Sequence, residues 1–271
     1  LKLLVKIGGA QLEEAAARAQ LAVALARARA AGHQLVLVHG GGNQIRERVR
    51  RLGLPERYHE GLRVTDPETA EVVLQVLCGS VNKQLVAALN AAGLPAVGLC
   101  GADGGSFGAE PLHAAGIELG YVGRVQAVDT RLVETLLERG FVPVVATTAP
   151  LAPGAQGPDE RFYNINADMA AAPLAAALGC DAILFLTDVA AVLDARKQRL
   201  AELDAGECAR LRGAGVIAGG MIPKVEAALE ALAACPGARV KIAPALGSDC
   251  VLQALLPAVG TLFRAEFAAH G

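Results

Sequence analysis

Tryptophan is absent from this chain of 271 residues, and aromatic residues make up only 3% of it. A core without large rings must be built from aliphatic side chains, and the hydrophobic share reaches 53%. Ala, Leu, Val and Gly suit buried parallel strands and closely packed helices. An excess of one charge is also missing. Lys and Arg number 25 against 27 Asp and Glu, a net charge of −2, and no run of five basic residues occurs. That balance argues against nucleic acid or an anionic membrane as the main partner. The six cysteines, Cys78, Cys100, Cys180, Cys208, Cys235 and Cys250, form no C-x-x-C pair. They read as reduced, mostly buried thiols of a cytoplasmic protein rather than as zinc ligands.

Other absences narrow the chemistry. Residues 141–158 are the longest uncharged stretch, but Pro143, Pro150 and Pro153 interrupt them, so no membrane span is expected there. The first strand is expected almost at once after Leu1, and no signal peptide is expected ahead of it. No G-x-x-x-x-G-K-[ST] loop appears, and the first strand–helix turn lacks G-x-G-x-x-G. His33, His39, His59, His113 and His270 have no partner at ligand or triad spacing, so none is assigned to catalysis.

What is present is an alternation of apolar runs and helical patterns. Strands are expected at residues 3–7, 34–38, 95–99, 141–146, 182–186, 238–242 and near 260–263. Helices are expected at 11–31, from about 43, from Asp66-Pro67-Glu68 onward, and at 129–139, 166–178 and 221–234. Asp66 can cap, Pro67 suits the first helical position and Glu68 the first turn. Residues 57–65 read as a hairpin turning near Glu60-Gly61, and 118–125 with the residues before them as a second hairpin. Residues 147–162, rich in Pro, Gly and Ala, are the longest loop candidate. Strand–helix alternation predicts an α/β fold, a mostly parallel open sheet sandwiched by helices, with ligands beyond the carboxyl ends of the strands.

Glycine-centred segments sit at such ends. Lys6-Ile7-Gly8-Gly9-Ala10 closes the first apolar run, and Gly219-Gly220-Met221-Ile222-Pro223-Lys224 opens a late helix. Backbone N–H groups at a helix start favour an anion, and each segment adds a lysine. The pattern points to a polyphosphate gripped from two sides. Val36-Leu37-Val38-His39-Gly40-Gly41-Gly42 reads either as an N–H nest for a phosphoryl group or as a tight strand–helix turn. Tyr163-Asn164-Ile165-Asn166-Ala167-Asp168 opens a helix, with more polar side chains than a cap needs. Thr187-Asp188 ends an apolar strand, where a nucleotide or a plain polar terminus are equally good readings. Arg63 in the hairpin either clamps a carboxylate or is a solvated charge.

In this order the segments resemble the amino-acid kinase family. Gly61-Leu62-Arg63-Val64-Thr65-Asp66, Asn164-Ile165-Asn166-Ala167-Asp168 and Gly219–Val225 are most similar to its branch acting on N-acetyl-L-glutamate. The resemblance implies one amino-acid kinase domain. An N-lobe of about residues 1–163, with hairpin lids, would hold the acyl amino acid. A C-lobe of about 164–271 would hold the nucleotide. It implies transfer of the ATP γ-phosphoryl group to the substrate side-chain carboxylate, with Mg²⁺ held mainly by the phosphates and no protein metal ligand.

Lys6 and Lys224 would bridge the transferring group and Asp168 would hold both lysines. Gly8, Gly9, Gly41 and Gly42 would take phosphoryl oxygens. Arg63, Asn164 and Asn166, with Gly41 and Gly42, would bind the substrate. Thr187, Asp188, Gly219, Gly220, Met221 and Lys224 would line the nucleotide site. The resemblance also implies a homodimer paired through the long helix after Asp66. With no helix ahead of the first strand, it would be one that arginine does not inhibit.

Some positions depart from the family pattern: Cys100 and Ala102 stand where Ser and Lys are usual, Ala190-Ala191 where Pro-Gly is usual, and residues 242–246 lack Asp-Gly-Arg. Two rival functions follow from the same motifs: a kinase for carrier-bound aminoadipate or glutamate, and a non-catalytic nucleotide or amino-acid sensor.

Overall fold

The computed structural model describes residues 1–265. His270 therefore lies outside the described residues.

The strands run in chain order as β1 (Lys2–Ile7), β2 (Gln34–His39), β3 (Tyr58–His59), β4 (Leu62–Arg63), β5 (Ala96–Leu99), β6 (Gly108–Pro111), β7 (Val122–Gln126) and β8 (Val142–Ala146). They continue as β9 (Thr148–Ala149), β10 (Tyr163–Ile165), β11 (Ala182–Thr187), β12 (Glu202–Leu203), β13 (Arg239–Pro244) and β14 (Thr261–Phe263). The α-helices are α1 (Ala15–Ala30), α2 (Gly42–Arg51), α3 (Pro67–Leu74), α4 (Asn82–Ala91), α5 (Arg131–Glu138), α6 (Ala167–Ala177), α7 (Ala205–Gly213), α8 (Met221–Ala234) and α9 (Cys250–Ala254).

Eight strands form one sheet in the order β12-β14-β13-β11-β1-β2-β8-β5. Every pairing is parallel except β13 with β14. Both faces are covered. Leu3, Val5 and Ile7 point to the side of α1, α4 and α9, while Leu4 points to the side of α6 and α8. The near-continuous apolar strands follow from this two-sided burial. A second sheet, β6-β7-β10-β9, and the hairpin β3-β4 stand beside the carboxyl ends of β1 and β2.

The structure departs from the sequence reading in several places. The helix expected at 11–31 opens as a separate 3-10 turn, Gly9–Leu12, and α1 starts only after Glu14, whose backbone is extended. The second hairpin pairs β6 with β7, so residues 118–121 belong to its connection. The long loop carries β9, which pairs with β10, and Tyr163–Ile165 is a strand rather than part of a helix start. Two- and three-residue strands carry too little periodicity to be read from sequence.

α3 and α4 form one rod, residues 67–91, joined by a π-helical turn, Gln75–Val81. This helix is long and apolar enough by length and composition to cross a membrane. Its Val72, Val73, Leu85 and Leu89 instead belong to the core against α1 and the sheet. β12, α7 and α9 were not foreseen.

Candidate active site

Lys6 lies one residue before the end of β1 and faces the side of Leu4, where α6 and α8 pack on the sheet. Asp168 sits in the first turn of α6, and Lys224 in the first turn of α8. The Lys6 ammonium is 2.6 Å from one Asp168 oxygen and the Lys224 ammonium 3.5 Å from the other. Three residues from three distant segments thus meet at one carboxylate. Burial would push the Asp168 carboxyl up, but the two ammonium charges outweigh it and hold it below the ordinary range. Lys6 is fully buried. Desolvation lowers its pKa below 10.5 despite Asp168, and Lys224 adds to the lowering. Asp168 therefore offsets only part of the cost of burying Lys6.

Asn166 accepts from the N–H groups of Asp168 and Met169, at 2.8 and 3.4 Å, and so caps α6. The cap fixes the turn that carries Asp168. It occupies the Asn166 oxygen and leaves its NH₂ group for a ligand. α2 and α8 are different: Gly41 and Gly220 precede them, and neither helix has a side-chain cap. The first N–H groups of a helix have no partner within it. Both uncapped starts carry residues of one cavity of about 330 Å³, lined by Lys6, Gly9, Gly42, Arg63, Asn164 and Lys224 among others. Gly8, Gly41, Asn166 and Asp168 line the same cavity.

The glycines are there for space. A Cβ on Gly9 would lie 3.1 Å from the Gly42 nitrogen, so the loops after β1 and β2 touch. A Cβ on Gly41 would lie 2.8 Å from Leu77 Cδ2, so the π-helical turn presses on that loop. Three larger hollows, of about 830, 1010 and 450 Å³, lie elsewhere, but Lys6, Asp168 and Lys224 line none of them.

Arg63 forms the opposite wall. It is 7% exposed, donates to the Gly42 carbonyl at 3.2 Å and stacks on the Tyr58 ring at 4.7 Å. Its other terminal nitrogen is 3.5 Å from Glu56, which also accepts from Tyr58 at 2.7 Å and Arg46 at 3.0 Å. The Tyr58 hydroxyl, more than any other contact, holds the Glu56 carboxyl below its ordinary range. Asn164 donates to Thr65 at 3.2 Å, which ties β10 to the strand end that carries Arg63. Glu56 and Tyr58 are positioning residues that the sequence reading did not single out. The signal was present: a hairpin turning at Glu60-Gly61 pairs Tyr58 with Arg63, as the register shows. Arg63→Ala should raise KM for the acceptor substrate strongly and leave KM for the nucleotide nearly unchanged, because a clamp on a non-reacting group supplies uniform binding. Steady-state kinetics with each substrate varied in turn would check this. Equal effects on both KM values would remove Arg63 from the acceptor site.

Thr187 ends β11, the neighbour of β1, Asp188 follows it, and the Thr187 hydroxyl donates to Asp188 at 2.9 Å. They do not line the 330 Å³ cavity, nor do Gly219, Gly220 and Met221. Gly220 and Met221 open α8, whose Lys224 does line the cavity. His39 is buried beside the cavity, donates to the Gly40 carbonyl at 3.0 Å and accepts from Asn82 at 3.0 Å. Burial pushes its pKa down to about 4, so it stays neutral. Its hydrogen bond with Asn82 joins the strand end to α4. Among the described residues no cluster of three His, Cys, Asp or Glu could hold a metal.

A carboxylate bracketed by two ammonium groups, beside two uncapped helix starts, suits a transferring phosphoryl group. The comparisons agree with that chemistry. The chain is 45% identical over 233 residues to an acetylglutamate kinase of Solibacter usitatus (strain Ellin6076), covering 86% of this chain and 87% of the relative. It is 47% identical over 230 residues to one of Geobacillus kaustophilus (strain HTA426), covering 84% of each. A solved Streptococcus mutans structure superposes with a TM-score of 0.80 at 29% identity, covering 98% of this chain and 99% of that one. The amino acid kinase family matches residues 2–243, which include β1 with Lys6, the capped start of α6 and the glycine pair before Lys224, and the chain belongs to that family.

Proposed function

We propose that this protein transfers the γ-phosphoryl group of ATP to the side-chain carboxylate of N-acetyl-L-glutamate, giving N-acetylglutamyl 5-phosphate for arginine biosynthesis. The observation that carries the proposal is the Lys6–Asp168–Lys224 bridge facing Arg63 across a glycine-walled cavity. The acceptor carboxylate has an ordinary pKa of about 4.3 and is already ionised at neutral pH, so no general base is needed. The obstacle is repulsion between an anionic nucleophile and an anionic phosphate. Lys6 and Lys224 neutralise charge on the transferring oxygens, and the N–H groups of Gly9, Gly41 and Gly42 donate to them. Arg63 and Asn164 orient the acceptor by its α-carboxylate, which makes the attack a matter of position. Thr187, Asp188, Gly219, Gly220 and Met221 hold the nucleotide. Mg²⁺, when bound to the phosphates, supplies further charge neutralisation. Asp168 is engaged by both lysines, which favours a metal held by phosphate oxygens.

The N-lobe, about 1–163, then serves the acyl amino acid and the C-lobe, about 164–271, the nucleotide. The kinase for a carrier-bound substrate and the non-catalytic sensor are not favoured: the curated relatives at 45% and 47% identity are named acetylglutamate kinases, and the three charged residues are intact. A coupled ADP-release assay with N-acetylglutamate, glutamate, aspartate and aminoadipate tests the assignment. Turnover should be confined to N-acetylglutamate, and equal turnover of aminoadipate would overturn it.

The same reading makes the protein a cytoplasmic homodimer paired along residues 67–91, whose exposed stripe is Glu71, Gln75, Ser80 and Gln84. Light scattering should give twice the 27.7 kDa chain mass, and a monomer at micromolar concentration would remove the dimer.

A further inference from the structure

His39 ends β2 directly before the glycine loop and is fully buried. Its two ring contacts leave the ring proton one place to sit. Nδ1 is 3.0 Å from the Gly40 carbonyl, which can only accept, so Nδ1 carries the hydrogen. Nε2 is 3.0 Å from the Asn82 amide nitrogen, which can only donate, so Nε2 is bare. The Asn82 amide is fixed in turn. Its nitrogen also donates to the Val144 carbonyl at 2.9 Å, and its oxygen accepts from the Lys83 ammonium at 3.0 Å. Turned over, it would set oxygen against the Val144 carbonyl and nitrogen against the Lys83 ammonium. Lys83 donates to the Gly98 carbonyl as well, at 3.2 Å, and a Cβ on Gly98 would collide with the Asn82 oxygen. A directed relay therefore runs from Lys83 through Asn82 and His39 to the Gly40 carbonyl.

We propose that His39 and Asn82 are positioning residues that aim the Gly41 N–H at the transferring phosphoryl group, an inference that rests on the function proposed above. A peptide unit is planar and trans, so the Gly40 carbonyl and the Gly41 N–H share one rigid plane and point in opposite directions. Glycine stands on both sides of that plane, and a glycine backbone resists its rotation least. The bond from His39 supplies the missing restraint. The ring contacts α4, so it draws the carbonyl to that side and turns the N–H away from it, towards the cavity that Gly40, Gly41 and Gly42 line. The Thr147 hydroxyl donates to the His39 carbonyl at 3.4 Å, a second restraint on the same strand end. Burial lowers the His39 pKa to about 4, opposed by the Gly40 carbonyl and aided by Lys83, so the ring holds a single proton at neutral pH.

A network that only tied β2 to α4 would need the His39–Asn82 bond and not the bond to Gly40. Two substitutions separate these parts. The amide of Asn reaches about as far as Nδ1 of a histidine, and the amide of Gln about as far as Nε2. His39→Asn therefore keeps a donor for the Gly40 carbonyl and gives up Asn82. His39→Gln keeps Asn82 and gives up the carbonyl. An aiming role predicts that His39→Asn is the more active of the two, and a structural tie predicts the reverse. The difference should lie in kcat, because Arg63 and Asn164, which orient the acceptor, are untouched by either change.

The test has two arms. Long-range ¹H–¹⁵N NMR of the unaltered full chain at neutral pH reads the tautomer, with the His39 signals identified by their loss in His39→Asn. The proton should sit on Nδ1, and a ring protonated on Nε2 would overturn the relay whether or not either variant folds. Steady-state kinetics with N-acetylglutamate and ATP form the second arm, with thermal melts to confirm folding. The kcat of His39→Gln should lie on the order of 10- to 100-fold below that of His39→Asn, with similar KM for the acceptor. Equal kcat values, or a lower one for His39→Asn, would overturn the aiming role. Absence of turnover by the unaltered protein would defeat the kinase reading instead, and the tautomer would still decide the relay.

Discussion

Lys224→Ala should lower kcat on the order of 100- to 1000-fold while changing KM for N-acetylglutamate little. The ammonium stands 3.5 Å from Asp168 at an uncapped helix start, with its side chain 22% exposed at the cavity. In the proposed role the ammonium meets the phosphoryl oxygens as charge redistributes during transfer, so its loss should appear in the rate. Lys6 is the poorer probe. Its removal leaves Asp168 with one partner in a site where Lys6 is 4% exposed, and unfolding would confuse the result. Circular dichroism would confirm that the Lys224→Ala protein is folded. A variant with near wild-type kcat would exclude Lys224 from phosphoryl transfer.

Free glutamate should be a worse substrate than N-acetylglutamate by several orders of magnitude in kcat/KM. Acylation turns the α-ammonium into a neutral amide that needs only ordinary hydrogen bonds. A free ammonium would enter beside Arg63 and would need an acidic partner. Asp168 is the one acid lining the cavity among the described residues, and both of its oxygens face lysines. Glu56 is close to Arg63 but does not line the cavity, and Arg46, Tyr58 and Arg63 already donate to it. An ammonium buried without a counter-charge is expensive, and the penalty falls on every turnover. Comparable kcat/KM for the two substrates would contradict the site as assigned and would favour a kinase for the free amino acid.

The Lys6–Asp168–Lys224 bridge is legible because each of its members sits at a local signal. Lys6 ends an apolar run before two glycines, Asp168 follows a capping asparagine, and Lys224 follows a glycine pair at a helix start. In a parallel sheet those ends converge on one crevice, so residues separated by most of the chain could be placed together. What stayed hidden depends on tertiary contact. The π-helical turn Gln75–Val81 shifts the apolar pattern by one residue, a change too local to separate from an ordinary helix by periodicity. The three-way hold of Glu56 on Arg63, Arg46 and Tyr58 needs α2 packed beside the hairpin. β9 and β10 are too short to show alternation, and their pairing places Asn164 on a strand rather than in a helix start.

Acyl-phosphate trapping tests the central claim most directly. N-acetyl-L-glutamate, ATP, Mg²⁺ and hydroxylamine are incubated with the protein, and ADP and hydroxamate are measured together. Transfer to the side-chain carboxylate predicts the γ-hydroxamate of N-acetylglutamate in equal amount to ADP, with neither formed when the acceptor is omitted. ADP release without hydroxamate, or release that does not require the acceptor, would contradict the account.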